Sequence, residues 1–206
     1  MNRHYTNLDY LSRSRWASFY VQIKETVNPK PANVLEICKG FGLLSFVVRG
    51  IGTDIKTLDV DPKLKPDFIG DVRRIPLKAN SFDVVTCFQV LEHLPFSDFK
   101  IALLQMKRVS KKYILLFLPE PYSTFVYFGA KLIPFIPKLE LFRKFAMSDR
   151  FFPKFGLNSP HYWEIGRKGV SYQKVEKCIT ACQLKIIKSF YPKENLYHHV
   201  FVLSKL

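Results

Sequence analysis

The residues best placed to do chemistry in this sequence stand in one stretch, Val34-Leu35-Glu36-Ile37-Cys38-Lys39-Gly40-Phe41-Gly42. It reads as an apolar strand running into a turn with two glycines and then directly into a helix. Such a turn lets backbone N–H groups approach a ligand where side chains would block it. A second apolar run ends in Asp59-Val60-Asp61. A carboxylate at that strand end can accept both hydroxyl hydrogens of a ribose. Strand, turn, helix and acid at this interval point to a nucleoside-containing cofactor; a purely structural turn is the alternative.

The charges around the turn discriminate between cofactors. A nicotinamide dinucleotide calls for a third glycine where its pyrophosphate meets the helix, and here that position is Ser45. S-adenosyl-L-methionine has no phosphate but carries an ammonium and a sulfonium, which suits Glu36 just before the turn. Further along come Gly70-Asp71 before Ile75-Pro76, then Ser81-Phe82-Asp83-Val84-Val85 leading to Val90-Leu91-Glu92-His93-Leu94. In this order the motifs resemble those of the class I, Rossmann-like S-adenosylmethionine-dependent methyltransferases, over residues 33–119.

The resemblance implies roles for the matched positions. Glu36, Gly40 and Gly42 would line the methionine end of the cofactor, with Cys38 in the same turn where the family often has glycine. Asp59 would hold the ribose hydroxyls, with Asp61 as substitute. Asp71 and the Val72 backbone would meet the adenine amino group, and Gln89 would sit under the cofactor near the reacting methyl. Lys39 could pair with the cofactor carboxylate or face solvent. Each acid also has a structural reading: Asp59 and Asp61 as strand-end caps, Asp71 as a helix cap, Asp83 as the start of a buried strand.

Methyl transfer needs alignment and exclusion of water more than a dedicated base. Base candidates are His93 and His161, followed by Glu164, His198 and His199. No cysteine or histidine spacing indicates a metal, and none is expected. The four cysteines form no CxxC pair, so they read as small apolar residues of a reduced, cytoplasmic protein. The N-terminus lacks the apolar run of a signal peptide, and no stretch of about 18 uncharged apolar residues is present to span a bilayer.

The elements that must position these residues alternate as strand and helix, which predicts one α/β domain around a mostly parallel sheet with helices on both faces. A helical lead-in over 1–30 is marked by Trp16, Phe19, Tyr20 and Ile23. The cofactor half covers 33–119, with strands at 33–37, 55–60, 81–88 and 113–118 and helices at 43–49 and 98–109. The remainder, 161–206, holds a helix at about 171–182 and strands at 184–190 and 199–204, which would close as a terminal antiparallel hairpin.

The inserted segment 121–160 differs in composition. It contains ten aromatics and six Lys/Arg against two acids, which fits an acceptor lid at the carboxyl edge of the sheet. Three other readings stand beside it: a lipid-facing piece at 132–145, an RNA contact, and an aromatic core extension. Residues 101–206 hold 18 Lys/Arg against 6 acids, so most of the net charge of +15 lies there. That field would favour an anionic surface, either membrane headgroups or RNA. The expected function is therefore methyl transfer to a small-molecule or lipid-like acceptor. A non-catalytic S-adenosylmethionine-binding protein and an NAD-dependent oxidoreductase are the alternatives.

Overall fold

Strands whose residues are apolar at both odd and even positions cannot face water on either side, and the chain buries them in the middle of a sheet. The computed structural model describes residues 12–121, 123–130, 139–146, 161–167, 169–193 and 195–205, with the backbone alone for 123–130 and 139–146. In chain order the elements are α1 (Arg13–Val27), β1 (Asn33–Ile37), α2 (Leu43–Gly50), β2 (Asp54–Asp59), β3 (Phe68–Ile69), β4 (Phe82–Phe88) and α3 (Phe96–Val109). They continue with β5 (Ser110–Pro119), β6 (Ser123–Ala130), β7 (Leu139–Ala146), α4 (Tyr172–Ala181), β8 (Leu184–Phe190) and β9 (His198–Lys205). Single 3-10 turns stand at Pro62–Leu64 and Leu91–His93.

Seven strands form one sheet in the order β3-β2-β1-β4-β5-β9-β8. β1 to β5 pair in parallel, and β9 runs antiparallel between β5 and β8. The terminal hairpin and the mostly parallel sheet expected from the sequence are both present. Neighbouring residues separate cleanly between the faces. Leu35, Val85, Ile114 and Phe201 pack with Phe99, Leu103 and Met106 of α3 and Val175 and Ile179 of α4. Val34, Val84, Leu115 and Val202 pack with Leu44 and Val48 of α2, and Ile23 and Val27 of α1 lean on them. Helices therefore cover both faces.

Two features add to the expectation. In α1, Trp16 and Tyr20 are exposed and Phe19 and Ile23 half-buried, while Ser18, Val21, Gln22, Glu25 and Thr26 are buried. In the inserted segment, β6 and β7 pair antiparallel, from Ser123 opposite Ala146 to Ala130 opposite Leu139. The part of the lipid-facing reading that is described, 139–145, is thus extended strand. Residues 131–138 and 147–160 of the presumed lid, and 1–11 of the lead-in, lie outside the described residues.

A candidate cofactor cleft at the carboxyl ends of β1, β2 and β4

β1 is followed outward by β2 and β3, whereas β4 and β5 lie on its other side. The sheet order therefore reverses between β1 and β4, where ligands of open α/β sheets bind. A cleft of about 490 Å³ opens there, within the range of roughly 300–1,000 Å³ usual for small-molecule sites. Every position expected from the resemblance lines it: Glu36, Cys38, Gly40, Gly42, Asp59, Asp71, Val72 and Gln89.

The backbone is bent hard at the two strand ends that meet in the cleft. Cys38, Gly40, Gly42 and Gln89 all have positive φ, at 62°, 52°, 85° and 58°. Glycine takes such values freely, but other residues pay for them. At Gly42 a Cβ would also stand 3.1 Å from Lys39 Cε, so a side chain there would have to push the lysine stem aside. Strain of this kind collects at functional sites.

Cys38 carries that strain without glycine's freedom, which gives a physical reason for glycine in the resembling family. Its thiol is pushed up to about 12 by burial, with Asp59 and Glu92 nearby adding to the effect, so no thiolate nucleophile forms here. We expect Cys38→Gly to raise stability by about 0.5–1 kcal/mol, the αL penalty less glycine's entropic cost. Cys38→Val should lower it, because a β-branched residue at positive φ is a genuine outlier. Thermal unfolding of the two variants checks the opposite signs.

Glu36 is buried in β1, and its Oε2 has no hydrogen-bond partner among the described residues. Burial raises its pKa to about 8, although hydrogen bonds from Ser45 and the charges of Lys39 and Arg49 pull it back. An orphaned carboxyl oxygen on the cleft wall fits an incoming ammonium. Asp59, the last residue of β2, is also buried, and its Oδ1 accepts from Asp61 N at 3.0 Å. Asp61 caps the 3-10 turn by accepting from Lys63 N. Asp71 is held by Arg73, whose side chain reaches both carboxylate oxygens and bridges to Asp98. That contact keeps its carboxyl below the usual range and competes with any adenine amino group.

Lys39 neither points to solvent nor stands free for a cofactor carboxylate. Its Nζ donates to Leu64 O and Lys65 O, both at 2.8 Å, and so ties the glycine turn to the loop after β2. Gln89 Nε2 lies 2.8 Å from His198 Nε2, and His198 Nδ1 lies 3.1 Å from Ser18 Oγ. Burial pushes His198 down to about 4, so a neutral imidazole fixes the Gln89 amide in the cleft. Sequence reasoning missed the whole α1 wall: Arg15, Ser18, Phe19 and Gln22 line the cleft. Phe19 meets Phe41 edge-on at 5.7 Å. No local signal in 13–27 points to that role.

The base candidates separate. His93 is exposed and lines the cleft. His161 does not line it; its ring meets that of His93 at 4.8 Å, and its Nδ1 is 2.7 Å from Glu164 Oε1. Although burial works against it, contacts with His161, Arg167 and Tyr197 hold Glu164 down to about 2, too acidic for a base. His199 is buried away from the cleft between Glu120, at 2.6 Å, and Ser189, at 2.7 Å.

Comparison with known proteins agrees with this geometry. Residues 35–117 match the family model described as a methyltransferase domain. No curated protein matches the sequence. Among solved structures, magnesium protoporphyrin IX methyltransferase from Synechocystis PCC 6803, crystallised with bound SAH, superposes with TM-score 0.64. It shares 11% identity over 94% of this chain and 84% of its own. A S-adenosylmethionine-dependent methyltransferase from Clostridium acetobutylicum ATCC 824 gives 0.59 at 9% identity, over 94% and 92%. The 1,6-didemethyltoxoflavin-N1-methyltransferase of Burkholderia thailandensis gives 0.57 at 11%, over 93% and 77%. Identities this low speak to the fold, and the family match to the domain. The chain is therefore similar, over residues 35–117, to the methyltransferase-domain family, and it has the fold of S-adenosylmethionine-dependent methyltransferases.

Proposed function

We propose that this chain transfers a methyl group from S-adenosyl-L-methionine to a small-molecule acceptor, a lipid-like one included. The observation that carries the proposal is Glu36 Oε2, without a partner among the described residues and buried beside the glycine turn at the sheet's switch point. Glu36 takes the ammonium, and the backbone of Gly40 and Gly42 lies against the methionine end with Cys38. Asp59 accepts from the ribose hydroxyls; Val72 and, where Arg73 allows it, Asp71 meet the adenine edge. Gln89, held by neutral His198, floors the cleft near the reacting centre. When bound, the cofactor supplies an electrophilic methyl on a positively charged sulfur. The chain's part is to align the acceptor and to exclude water.

Calorimetry with S-adenosylhomocysteine and with NAD tests the cofactor; binding of NAD alone would overturn the reading. Transfer of a labelled methyl to fractions of a metabolite extract tests the activity. A bound cofactor with no transfer to any fraction favours a non-catalytic role. The excess of positive charge in residues 101–206 supports a second contact, with anionic headgroups or RNA. That contact should weaken steeply as salt rises.

Glu36 also sets a pH dependence. In the free chain its carboxyl is protonated below about 8, and it must lose that proton to meet an ammonium. Affinity for S-adenosylhomocysteine should therefore rise from pH 6 towards pH 8, approaching tenfold per unit, with protons released on binding. Titrations in buffers of different ionisation enthalpy measure this directly. Glu36→Gln should abolish the slope.

A further inference from the structure

Beside the cleft, three residues from two distant stretches converge in a way that methyl transfer does not require. Glu92 and His93 follow β4, and His161 follows the inserted segment. Their ligand atoms all lie within 4.8 Å of one another. We propose that Glu92, His93 and His161 bind a divalent first-row transition cation at the edge of the cleft.

The donor set argues for this class of ion. Two imidazoles and one carboxylate suit zinc, iron, cobalt or manganese rather than calcium, which takes oxygen ligands only. Glu92 is the independent observation. It is 1% exposed, and its Oε2 has no hydrogen-bond partner among the described residues. A buried carboxylate oxygen without a partner is costly, and a cation beside it removes the cost.

The surroundings are arranged as the outer shell of a metal site. His161 Nδ1 faces Glu164 Oε1 at 2.7 Å, so the ring would offer Nε2 to an ion, as metal-bound histidines commonly do with a carboxylate behind them. Glu164 is itself fixed by Arg167 at 2.7 Å and by Tyr197 at 3.1 Å.

The backbone also brings the two stretches into register before any ion arrives. Tyr162 N donates to Glu92 O at 2.8 Å, and Ile165 N to Pro119 O at 2.9 Å. Trp163 Nε1 donates to Leu94 O at 3.0 Å. An ion about 2.1 Å from each ligand needs donor atoms about 3–3.5 Å apart. His93 is the exposed member of the set, so its side chain is the one that would adjust on binding.

Because His93 lines the cleft, open positions on the ion would face the acceptor and could take an acceptor oxygen. That last step rests on the methyltransferase reading; binding of the ion does not.

The test is therefore made without cofactor. The full chain, stripped with a chelator, is titrated calorimetrically with Zn²⁺ and with Mn²⁺, and its metal content is measured after gel filtration. One ion per chain is expected. Glu92→Gln, His93→Asn and His161→Asn should each weaken binding at least tenfold while S-adenosylhomocysteine binding persists as the sign of an intact fold. His93 is exposed, so its variant carries little risk to folding. Absence of binding by the unmodified chain, or binding of undiminished affinity in any of the three variants, would overturn the proposal.

Discussion

Replacing Asp59 with alanine is expected to weaken S-adenosylhomocysteine binding by about ten- to a hundredfold, the largest effect of any single change in the cleft. A hydrogen bond to a charged group contributes about 1.5–3 kcal/mol, and each 1.4 kcal/mol is about a factor of ten. Asp59 is 5% exposed at the carboxyl end of β2, so its carboxylate meets little competing water. Its neighbour makes the natural control. Asp61 also lines the cleft but already accepts from Lys63 N as the cap of a 3-10 turn. Asp61→Ala should therefore change affinity by less than about threefold and act mainly through that turn. Asp59→Asn should fall between the two, since the amide keeps one acceptor oxygen and loses the charge. Calorimetry on the three variants orders them. A reversed order, with Asp61→Ala the weaker binder, would move the ribose contact to Asp61.

The cleft was legible in the sequence because its determinants are local. Val84, Val85, Cys87 and Phe88 announce a strand buried on both faces, and Gly40 and Gly42 mark a backbone that must bend. Their positive φ values bear that out. Cys38 shows where a residue rule and the structure meet. A side chain stands where glycine would relieve the backbone, and the fold absorbs the cost.

What stayed hidden depends on contacts between distant residues. Lys39 looks like any surface lysine until the loop after β2 brings the carbonyls of Leu64 and Lys65 against it. The helical spacing of Trp16, Phe19, Tyr20 and Ile23 found α1 but said nothing of the polar face that it buries. Helix α1 roofs a polar cleft, and its buried polar groups are satisfied by distant partners. Ser18 meets His198 and Asn195, and Glu25 meets Lys188. Strand β3 has two residues, too few for any period to register. The convergence of His161 on Glu92 likewise depends on a backbone hydrogen bond between Tyr162 and Glu92, 70 positions apart, which no spacing rule encodes.

The largest effect on stability is expected from Trp163→Ala, at about 3–5 kcal/mol. Trp163 is 1% exposed. Its ring meets Phe96 at 5.0 Å and Phe99 at 5.3 Å, both edge-on. Truncation would open a cavity between α3 and the sheet and leave Leu94 O without its indole donor. For a chain of this length, each kcal/mol moves the melting temperature by about 2–4 °C, so a drop of about 6–20 °C should appear in thermal unfolding. Trp163→Phe keeps the aromatic contact and loses only the donor and part of the volume, so it should recover most of that drop. Trp163 also anchors the stretch that carries His161 and Glu164, which makes the two residues beside it sensitive to its loss. Trp163→Ala should therefore lower affinity for divalent cations along with stability, whereas truncating Phe46, 77% exposed on α2, should change neither. Were Trp163→Ala to melt with the unmodified chain, the packing of the 161–165 stretch onto α3 would be wrong, and with it the geometry that brings His161 to Glu92.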